Sequence, residues 1–457
     1  MSFYNFSFDF SEDFIQSVEP VIPQPTPEQE IKRSEVLDVL KKDFEKFLKK
    51  KLNITYFPTI FSRWLFLQVA TKDRTTDDPV LRRPEIIKEA KSITDAIIDN
   101  YPVSTYIPWT KRSNLKIVRD TIEKWIHELE KKFLLKDQNF IKIKELLSEN
   151  IEASEMLERF RLLKNSLNQE IKKIIGKDIE NIFEKFIDRV YDRIQLIPEI
   201  NEEDYHDVCV EKTIVTNEKS KYIVLTYNNE SLKITQDHYK KLKKLFIEQE
   251  SKMDLQTSVW VLLKRYSKFI CDPEEKSEQF HAAAPRSFFE FIKKQFDVSF
   301  ECFASPLNCY FKNFCSAFVD TDRCFGSKGS FFYFVPEQGS FEVNPPYVEE
   351  IIEYTVDHIF DLLKSSKKPL LFIIGVPDWR EPLQKGQEKI EKSNFLKGQF
   401  TLEGTKYEYV SGAQHKCNNT FNMPFTNRFY LLQNEAGSRK WPIKEKVIDE
   451  MKKSFQK

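Results

Sequence analysis

The sequence predicts an α/β fold preceded by an all-helical domain, and three observations carry that expectation. Hydrophobic residues recur at three- and four-residue steps as far as Pro198 and then change period. Of the ten glycines only Gly176 precedes residue 320, so the first part of the chain is built with few special turns. From about Ser287 onward strand-like and helix-like stretches alternate, the pattern of a sheet with helices on its faces.

Taken in order, residues 1–30 read as a flexible tail. Phe3, Phe6, Phe8, Phe10 and Phe14 sit among polar residues, and Pro20, Pro23, Pro25 and Pro27 favour an extended segment. The phenylalanines suit an arm lying on the protein's own surface, or a strand added to a partner's sheet edge. Residues 31–200 read as helical, with Leu37, Leu40, Phe44 and Phe47 on one stripe and Leu115, Val118, Ile122, Trp125 and Leu129 on another. Amphipathic stretches run from about Asp137 to Lys172 and from Asp178 to Leu196, with Gly176 between them as a helix stop. Residues 201–445 form the α/β domain, and 446–457 a C-terminal helical tail. Within the α/β domain, Lys221 to Thr226 and Ser231 to Thr235 make a hairpin around Asn228-Asn229. Helices are expected at about Asp237 to Glu250, Gln256 to Cys271, Ser287 to Gln295 and Val348 to Leu363. Strands are expected at Val298 to Phe303, Phe331 to Val335, Phe341 to Val343 and Leu370 to Val376.

Composition bounds the function. The chain has 457 residues, enough for two or three domains, and 40% hydrophobic with 31% charged residues excludes global disorder. Lys plus Arg equals Asp plus Glu, 71 each, which counts against a non-specific nucleic-acid coat protein but leaves room for a local basic channel. Cys302, Cys309, Cys315 and Cys324 lie close together without a C-x-x-C pair, so they read as reduced, buried thiols, and no metal site is expected. The longest apolar stretch, around Pro369 to Pro377, is too short to span a bilayer, and no secretory segment is present. An intracellular, soluble protein without membrane association is expected.

The sharpest motif is Ser340-Phe341-Glu342-Val343-Asn344-Pro345-Pro346-Tyr347: a strand, then Asn-Pro-Pro-aromatic, then a helix. The N6 amine of adenine is a poor nucleophile because its lone pair is delocalised into the ring. Acceptors placed on its protons pull that lone pair out of conjugation, and the Asn344 side-chain oxygen and Pro345 carbonyl are suitable acceptors. Two prolines fix φ at successive positions, so the acceptors are pre-placed. The Tyr347 ring offers a stacking face worth ~1–3 kcal/mol. Asn-Pro and Pro-Pro are also ordinary turn makers; the position between an apolar strand and an amphipathic helix is what favours the catalytic reading. A second motif, Phe300-Glu301-Cys302-Phe303-Ala304-Ser305-Pro306-Leu307-Asn308, places polar groups after a strand, where cofactors of open α/β folds bind, but it lacks G-x-G.

These stretches, with Cys324-Phe325-Gly326-Ser327-Lys328-Gly329, Pro377-Asp378-Trp379-Arg380-Glu381-Pro382, Tyr409-Val410-Ser411-Gly412-Ala413-Gln414-His415 and Leu431-Leu432-Gln433-Asn434, resemble the phosphorylated-CTD-interacting factor family of cap-specific adenosine N6-methyltransferases. The resemblance covers roughly Val298 to Trp441. It implies a Rossmann-like class I methyltransferase domain after a helical domain, S-adenosylmethionine as donor, and capped RNA beginning with 2′-O-methyladenosine as substrate. Carried over, Asn344, Pro345, Pro346 and Tyr347 are catalytic; the family often has Phe where this chain has Tyr347, and the stacking face is kept. Ser305, Pro306 and Asn308 fall in the matching donor loop, with Glu342 and Gln279 as further donor-binding candidates. Substrate-binding candidates are Arg63 with Trp64, Arg82, Arg83, Trp379, Arg380 and His415, because a 7-methylguanine cation needs an aromatic face and a triphosphate needs Arg or Lys. Animal members carry a WW domain, and Trp109 and Trp125 lack its spacing, so binding of the RNA polymerase tail through such a module is not expected. The Phe-rich tail is a candidate partner-binding segment, and a nuclear location is expected over a cytoplasmic one. The alternatives are N6 methylation of internal RNA or DNA adenine, and a catalytically silent binding subunit.

Overall fold

The computed structural model describes residues 15–17, 22–52, 58–70, 78–81, 114–132, 138–199, 202–205, 209–216, 221–268, 283–378, 383–411, 420–423 and 425–455. In chain order the strands are β1 (Ile15–Ser17), β2 (Glu211–Thr216), β3 (Lys221–Tyr227), β4 (Glu230–Thr235), β5 (Phe300–Ala304), β6 (Asn313–Ser316), β7 (Phe334–Pro336), β8 (Gly339–Val343), β9 (Leu370–Pro377), β10 (Leu396–Leu402), β11 (Glu408–Val410), β12 (Thr420–Asn422) and β13 (Asn427–Gln433). The α-helices are α1 (Pro27–Leu52), α2 (Pro58–Ala70), α3 (Leu115–Lys132), α4 (Gln138–Ser148), α5 (Ala153–Ile194), α6 (Gln236–Leu245), α7 (Leu255–Ser267), α8 (Arg286–Phe296), α9 (Val319–Asp322), α10 (Glu349–Ser365), α11 (Lys385–Glu391), α12 (Glu435–Lys440) and α13 (Glu445–Ser454).

The chain divides into two compact units. One comprises Leu40–Trp64 and Pro84–Tyr191, and its described residues are helical. Its core is aromatic: Phe44, Trp64 and Phe186 meet with ring centroids 5.0 Å apart for both pairs involving Phe186, and Trp125 stands edge-on to Phe160 at 5.4 Å. Such tilted and edge-to-face pairs are favoured by the ring quadrupole. The helix α5 runs unbroken through Gly176, so the expected stop is absent. A single mid-helix glycine costs about 1 kcal/mol, which a 42-residue helix with buried Phe160, Leu167, Ile182 and Phe186 absorbs. The break falls instead at 149–152, inside the stretch read as continuous.

The other unit, Met1–Val39, Leu65–Arg83 and Asp192–Lys457, contains a six-stranded mixed sheet in the order β10-β13-β9-β8-β5-β6. Strands β6, β5, β8 and β9 are parallel, and β13 runs antiparallel to both of its neighbours. Alternation along β9 shows how two faces are filled: Leu370, Phe372, Ile374 and Val376 pack with α10 residues, while Leu371 and Ile373 pack with residues of α8 and α13. That period-2 division is why the whole of β9 reads as one apolar run. Gly375 leaves room for the Phe429 ring, which a β-carbon there would approach to 2.7 Å.

A three-stranded antiparallel sheet, β2-β3-β4, precedes it. Asn228 and Asn229 both take positive φ, 50° and 67°, the two-residue turn whose twist matches a hairpin. Phe331–Tyr333 is a 3-10 turn, and extended structure begins only at Phe334.

The N-terminal segment differs from a flexible tail. Ile15–Ser17 pairs antiparallel with Phe334–Pro336 of the same chain. Pro27 opens α1, where its missing N–H is no loss. Thr26 and Gln29 form a reciprocal cap, the Thr26 N–H reaching Gln29 Oε1 at 2.9 Å and the Gln29 N–H reaching Thr26 Oγ1 at 3.4 Å. Phe3, Phe6, Phe8, Phe10 and Phe14 lie outside the described residues. No described helix is long and apolar enough to cross a membrane.

Behind that first turn lies a buried network of five charges. Arg265 donates to Glu30 at 2.6 Å and to Asp320 at 2.7 Å, while Arg33 bonds both Glu30 and Asp78, the latter at 3.0 Å. Asp78 also accepts the N–H groups of Val80 and Leu81. Burial alone raises the pKa of Glu30; Arg265 and Arg33 outweigh it and hold the carboxyl below its ordinary value. Removing Arg265 leaves Asp320 buried without a cation among the described residues and leaves Glu30 with Arg33 alone. We therefore predict that Arg265→Ala lowers stability by about 3–5 kcal/mol in urea unfolding. A loss below about 1 kcal/mol, the range of exposed pairs, would show that the network does not hold α1 in place.

Candidate active site

Between β5 and β8 the strand order reverses: the chain leaves β5 for β6 on one side and later returns to β8 on the other. In an open α/β sheet the crevice at the carboxyl ends of two such strands is where ligands bind. Both sequence motifs emerge there. β5 ends at Ala304 and enters Ser305, and β8 ends at Val343 and enters Asn344. β9 finishes on the same edge at Pro377, paired with Asn427 at the start of β13.

The turn after β5 closes on itself. Asn308 Oδ1 accepts the Ser305 N–H at 2.7 Å and its hydroxyl at 3.0 Å. Ser305 Oγ accepts the Leu307 N–H at 3.2 Å, and the Ser305 carbonyl accepts the N–H groups of Asn308 and Cys309 at 3.1 and 2.9 Å. Ser305 and Pro306 are buried and Asn308 is half-buried. The polar side chains of this loop thus shape the turn, a local bonding habit of Ser and Asn.

Beneath the turn sit two acids that face each other across the sheet. Glu301 and Glu342 are register partners on β5 and β8, and both are buried. Glu301 accepts the N–H groups of Tyr310 and Phe311, each at 2.8 Å. The buried ammonium of Lys241 on α6 donates to the Cys309 carbonyl at 2.7 Å. Burial pushes the Glu301 carboxyl up to about 7, against the pull of those two N–H groups and of Lys241. For Glu342, burial and the neighbouring Glu301 act in the same direction and hold it well above the usual carboxylate range, with no hydrogen bond among the described residues to offset them.

After β8, Asn344, Pro346 and Tyr347 are half-buried and Pro345 is buried. The Val348 N–H returns to the Pro346 carbonyl at 2.7 Å, and α10 starts at Glu349. Tyr347 stands edge-on to Phe425, 5.9 Å between ring centres, within the cluster that holds Tyr409, Met423 and Phe429. Its hydroxyl is the buried end: burial, with Tyr409 and Glu342 nearby, raises it well above an ordinary tyrosine. Asn427 Nδ2 donates to the Tyr409 hydroxyl at 2.6 Å. The next residue of β13, Arg428, clasps Asp378 through two bonds of 2.8 and 3.1 Å, tying down the chain just past β9.

The structure therefore brings Ser305, Pro306, Asn308, Glu342, Asn344, Pro345, Pro346 and Tyr347 to one sheet edge. Gln279, Arg82, Arg83, Trp379, Arg380 and His415 lie outside the described residues. Arg63 and Trp64 belong to the helical unit. Trp64 is fully buried, 5.4 Å from Phe61 and 5.0 Å from Phe186 by ring centres, so a cap base finds no free face on it. Trp64 is a core residue and not a cap contact: an aromatic in the apolar stretch Ile60–Ala70 packs inward. Sequence reasoning passed over Glu301, Lys241, Asn427 and the Asp378–Arg428 clasp. A usable signal was present for the first: Phe300-Glu301-Cys302 and Phe341-Glu342-Val343 each insert one acid into an apolar strand.

Comparison with known proteins adds an independent line. A family model described as "Phosphorylated CTD interacting factor 1 WW domain" matches residues 239–412, which take in α7, α8 and the sheet from β5 to β10. The mRNA (2'-O-methyladenosine-N(6)-)-methyltransferases of Homo sapiens and Mus musculus are each 36% identical to this chain over 241 residues. That match covers 51% of this chain and spans about a third, 34%, of the length of those relatives.

The raised Glu301 carboxyl makes stability depend on pH. In the folded state it holds a proton up to about 7, whereas the unfolded chain releases it near the ordinary 4.5. The folded state binds more protons in that interval, so this contribution is complete below 4.5 and is lost as pH rises through about 7. Glu301→Gln keeps an acceptor for both N–H groups and has nothing to ionise. Between pH 6 and pH 8 the wild-type melting temperature should fall further than that of the variant; equal falls would refute the assignment.

Proposed function

We propose that this chain, whose residues 239–412 match the phosphorylated CTD interacting factor 1 family model, is a member of that family and an S-adenosylmethionine-dependent methyltransferase acting on N6 of the adenosine next to the 7-methylguanosine cap of mRNA. The observation that carries this reading is the exit of Asn344-Pro345-Pro346-Tyr347 from β8 at the strand-order reversal, beside the turn that leaves β5. On this reading the six-stranded sheet is a Rossmann-like class I methyltransferase domain, and the helical unit contributes to binding capped RNA. The substrate class follows the relatives' names, and action on mRNA suits a nuclear location.

The residues present fit the donor. Glu342 is a buried acid with no hydrogen-bond partner among the described residues, at the crevice where a ligand carrying hydroxyl and amine donors would be held. The buried turn Ser305–Cys309 supplies the second wall, with Ser305, Pro306 and Asn308 shaping it; Gln279 is assigned to the same donor. Bound S-adenosylmethionine supplies an electrophilic methyl group. The chain does the rest: Asn344 Oδ1 and the Pro345 carbonyl accept the N6 protons and hold the amine nitrogen toward its partner, and the paired prolines keep both acceptors fixed. The Tyr347 ring, anchored at its hydroxyl end, lies against the base. A base at a 5′ end is stacked on one side only, so presenting it costs little. No general base is needed, because the methylated amine is acidic and loses its proton to solvent. Arg63, Arg82, Arg83, Trp379, Arg380 and His415 are assigned to the capped RNA.

Mass spectrometry of nucleosides from a capped RNA starting with 2′-O-methyladenosine tests this. We expect N6 methylation that requires the cap and falls on the order of 100-fold or more in Asn344→Ala, the scale of losing one pre-placed polar partner at a reacting centre. Equal methylation of uncapped RNA would redirect the assignment to internal adenine. Absence of both methylation and donor binding would leave a silent binding subunit.

A further inference from the structure

We propose that Glu301 is a positioning residue for the methyl donor: seated under the sheet edge, it pins the Tyr310–Phe311 return of the turn that leaves β5, and Lys241 pins the same return from α6. This rests on the functional reading above, because it concerns the loop that faces the donor.

The chain must turn within 305–312 so that β6 can lie parallel to β5, and this places the N–H groups of Tyr310 and Phe311 inside the protein. Buried N–H groups need partners. Those further back in the turn have local ones: the N–H groups of Ser305, Leu307, Asn308 and Cys309 all bond within Ser305–Asn308. At Tyr310 and Phe311 that local supply ends, and both N–H groups converge on one Glu301 oxygen at 2.8 Å. The Cys309 carbonyl, just before them, is held by Lys241 at 2.7 Å. Two side chains, from a strand and from a helix, thus fix the far end of the turn, while the near end is fixed by its own Ser and Asn. Ring packing completes the clamp: Phe289 of α8 stacks on Tyr310 at 4.7 Å and meets Phe311 edge-on at 5.6 Å. The donor-facing wall keeps its shape only if both ends hold.

The test uses the full chain with Glu301→Leu, which keeps bulk and removes the acceptor, and Glu301→Gln, which keeps the acceptor. Lys241→Met is the second variant should Glu301→Leu not fold. Hydrogen exchange reads the 305–311 segment directly, and calorimetry with steady-state kinetics reads S-adenosylmethionine. In Glu301→Leu we expect faster exchange confined to that segment and a donor KM raised about tenfold or more. The kcat at saturating donor should stay within about threefold of wild type. Glu301→Gln should restore both readouts, and Lys241→Met should show the same pattern more weakly. Unchanged exchange in both Glu301→Leu and Lys241→Met would overturn the clamp. Faster exchange with an unchanged donor KM would overturn its role toward the donor. Loss of kcat in step with loss of folded protein, without a KM change, would reduce Glu301 to a structural residue. If the wild-type protein binds no S-adenosylmethionine, the functional reading and the donor role fall together, and the exchange arm still reports whether the clamp exists.

Discussion

Parallel strands cannot be joined by a tight turn, so β5 and β8 become neighbours only because the chain between them departs to β6 and comes back. That detour creates the crevice. It also sets Glu301 opposite Glu342 and sends two polar segments, one after each strand, out of the same edge. The first is locked by its own serine and asparagine with Glu301 below. The second is locked by paired prolines and by the start of α10. Neither segment has the glycine-rich flexibility common in ligand loops. Each of the two segments continues a strand whose residues are largely buried.

Much of the fold was legible in the sequence. The hairpin at Asn228-Asn229 needed only two residues that tolerate positive φ. In the main sheet β5, β8 and β9 were readable as apolar runs while β6 and β10 were not, and β9 begins at Leu370 as read and extends one residue further, to Pro377. Errors arose where local signals met longer-range packing. Gly176 is a plausible stop by propensity, yet the buried face of α5 outweighs one glycine. The prolines before residue 30 suggested a loose segment, but Pro27 is a helix start, and Glu30 finds its cation at Arg265, 235 positions away. No periodicity reveals a pairing over that distance.

For the site the divide is similar. That the Asn-Pro-Pro-Tyr segment and the Ser305–Asn308 turn each follow the end of a strand was legible, because strand and exit are consecutive in sequence. Trp64 was misjudged because a tryptophan beside an arginine has the same spelling whether its ring meets a ligand or a Phe186 edge. Glu301, Asn427 and the Asp378–Arg428 clasp were passed over because each acts on residues from another strand or a distant turn.

The protein buries acids in two distinct ways, and the difference separates scaffold from site. Glu30 and Asp78 lie against arginines, and both carboxyls are held below their ordinary values. Their charge is compensated in place, and the result is a fixed junction inside the sheet unit. Among the described residues Glu301 and Glu342 have no such cation in contact, and Asp322 is held by neutral donors such as the Tyr266 and Thr321 hydroxyls. All three carboxyls are pushed upward. An apolar pair at the Glu301 and Glu342 positions would suit the strands better and would spare the desolvation cost. The mutual register of the two acids raises that cost further, since like charges side by side cannot both ionise cheaply. A sheet core gains nothing from such a pair. Holding the far end of a turn gives Glu301 a use there, and the two acids stand at the point in the sheet where the strand order reverses.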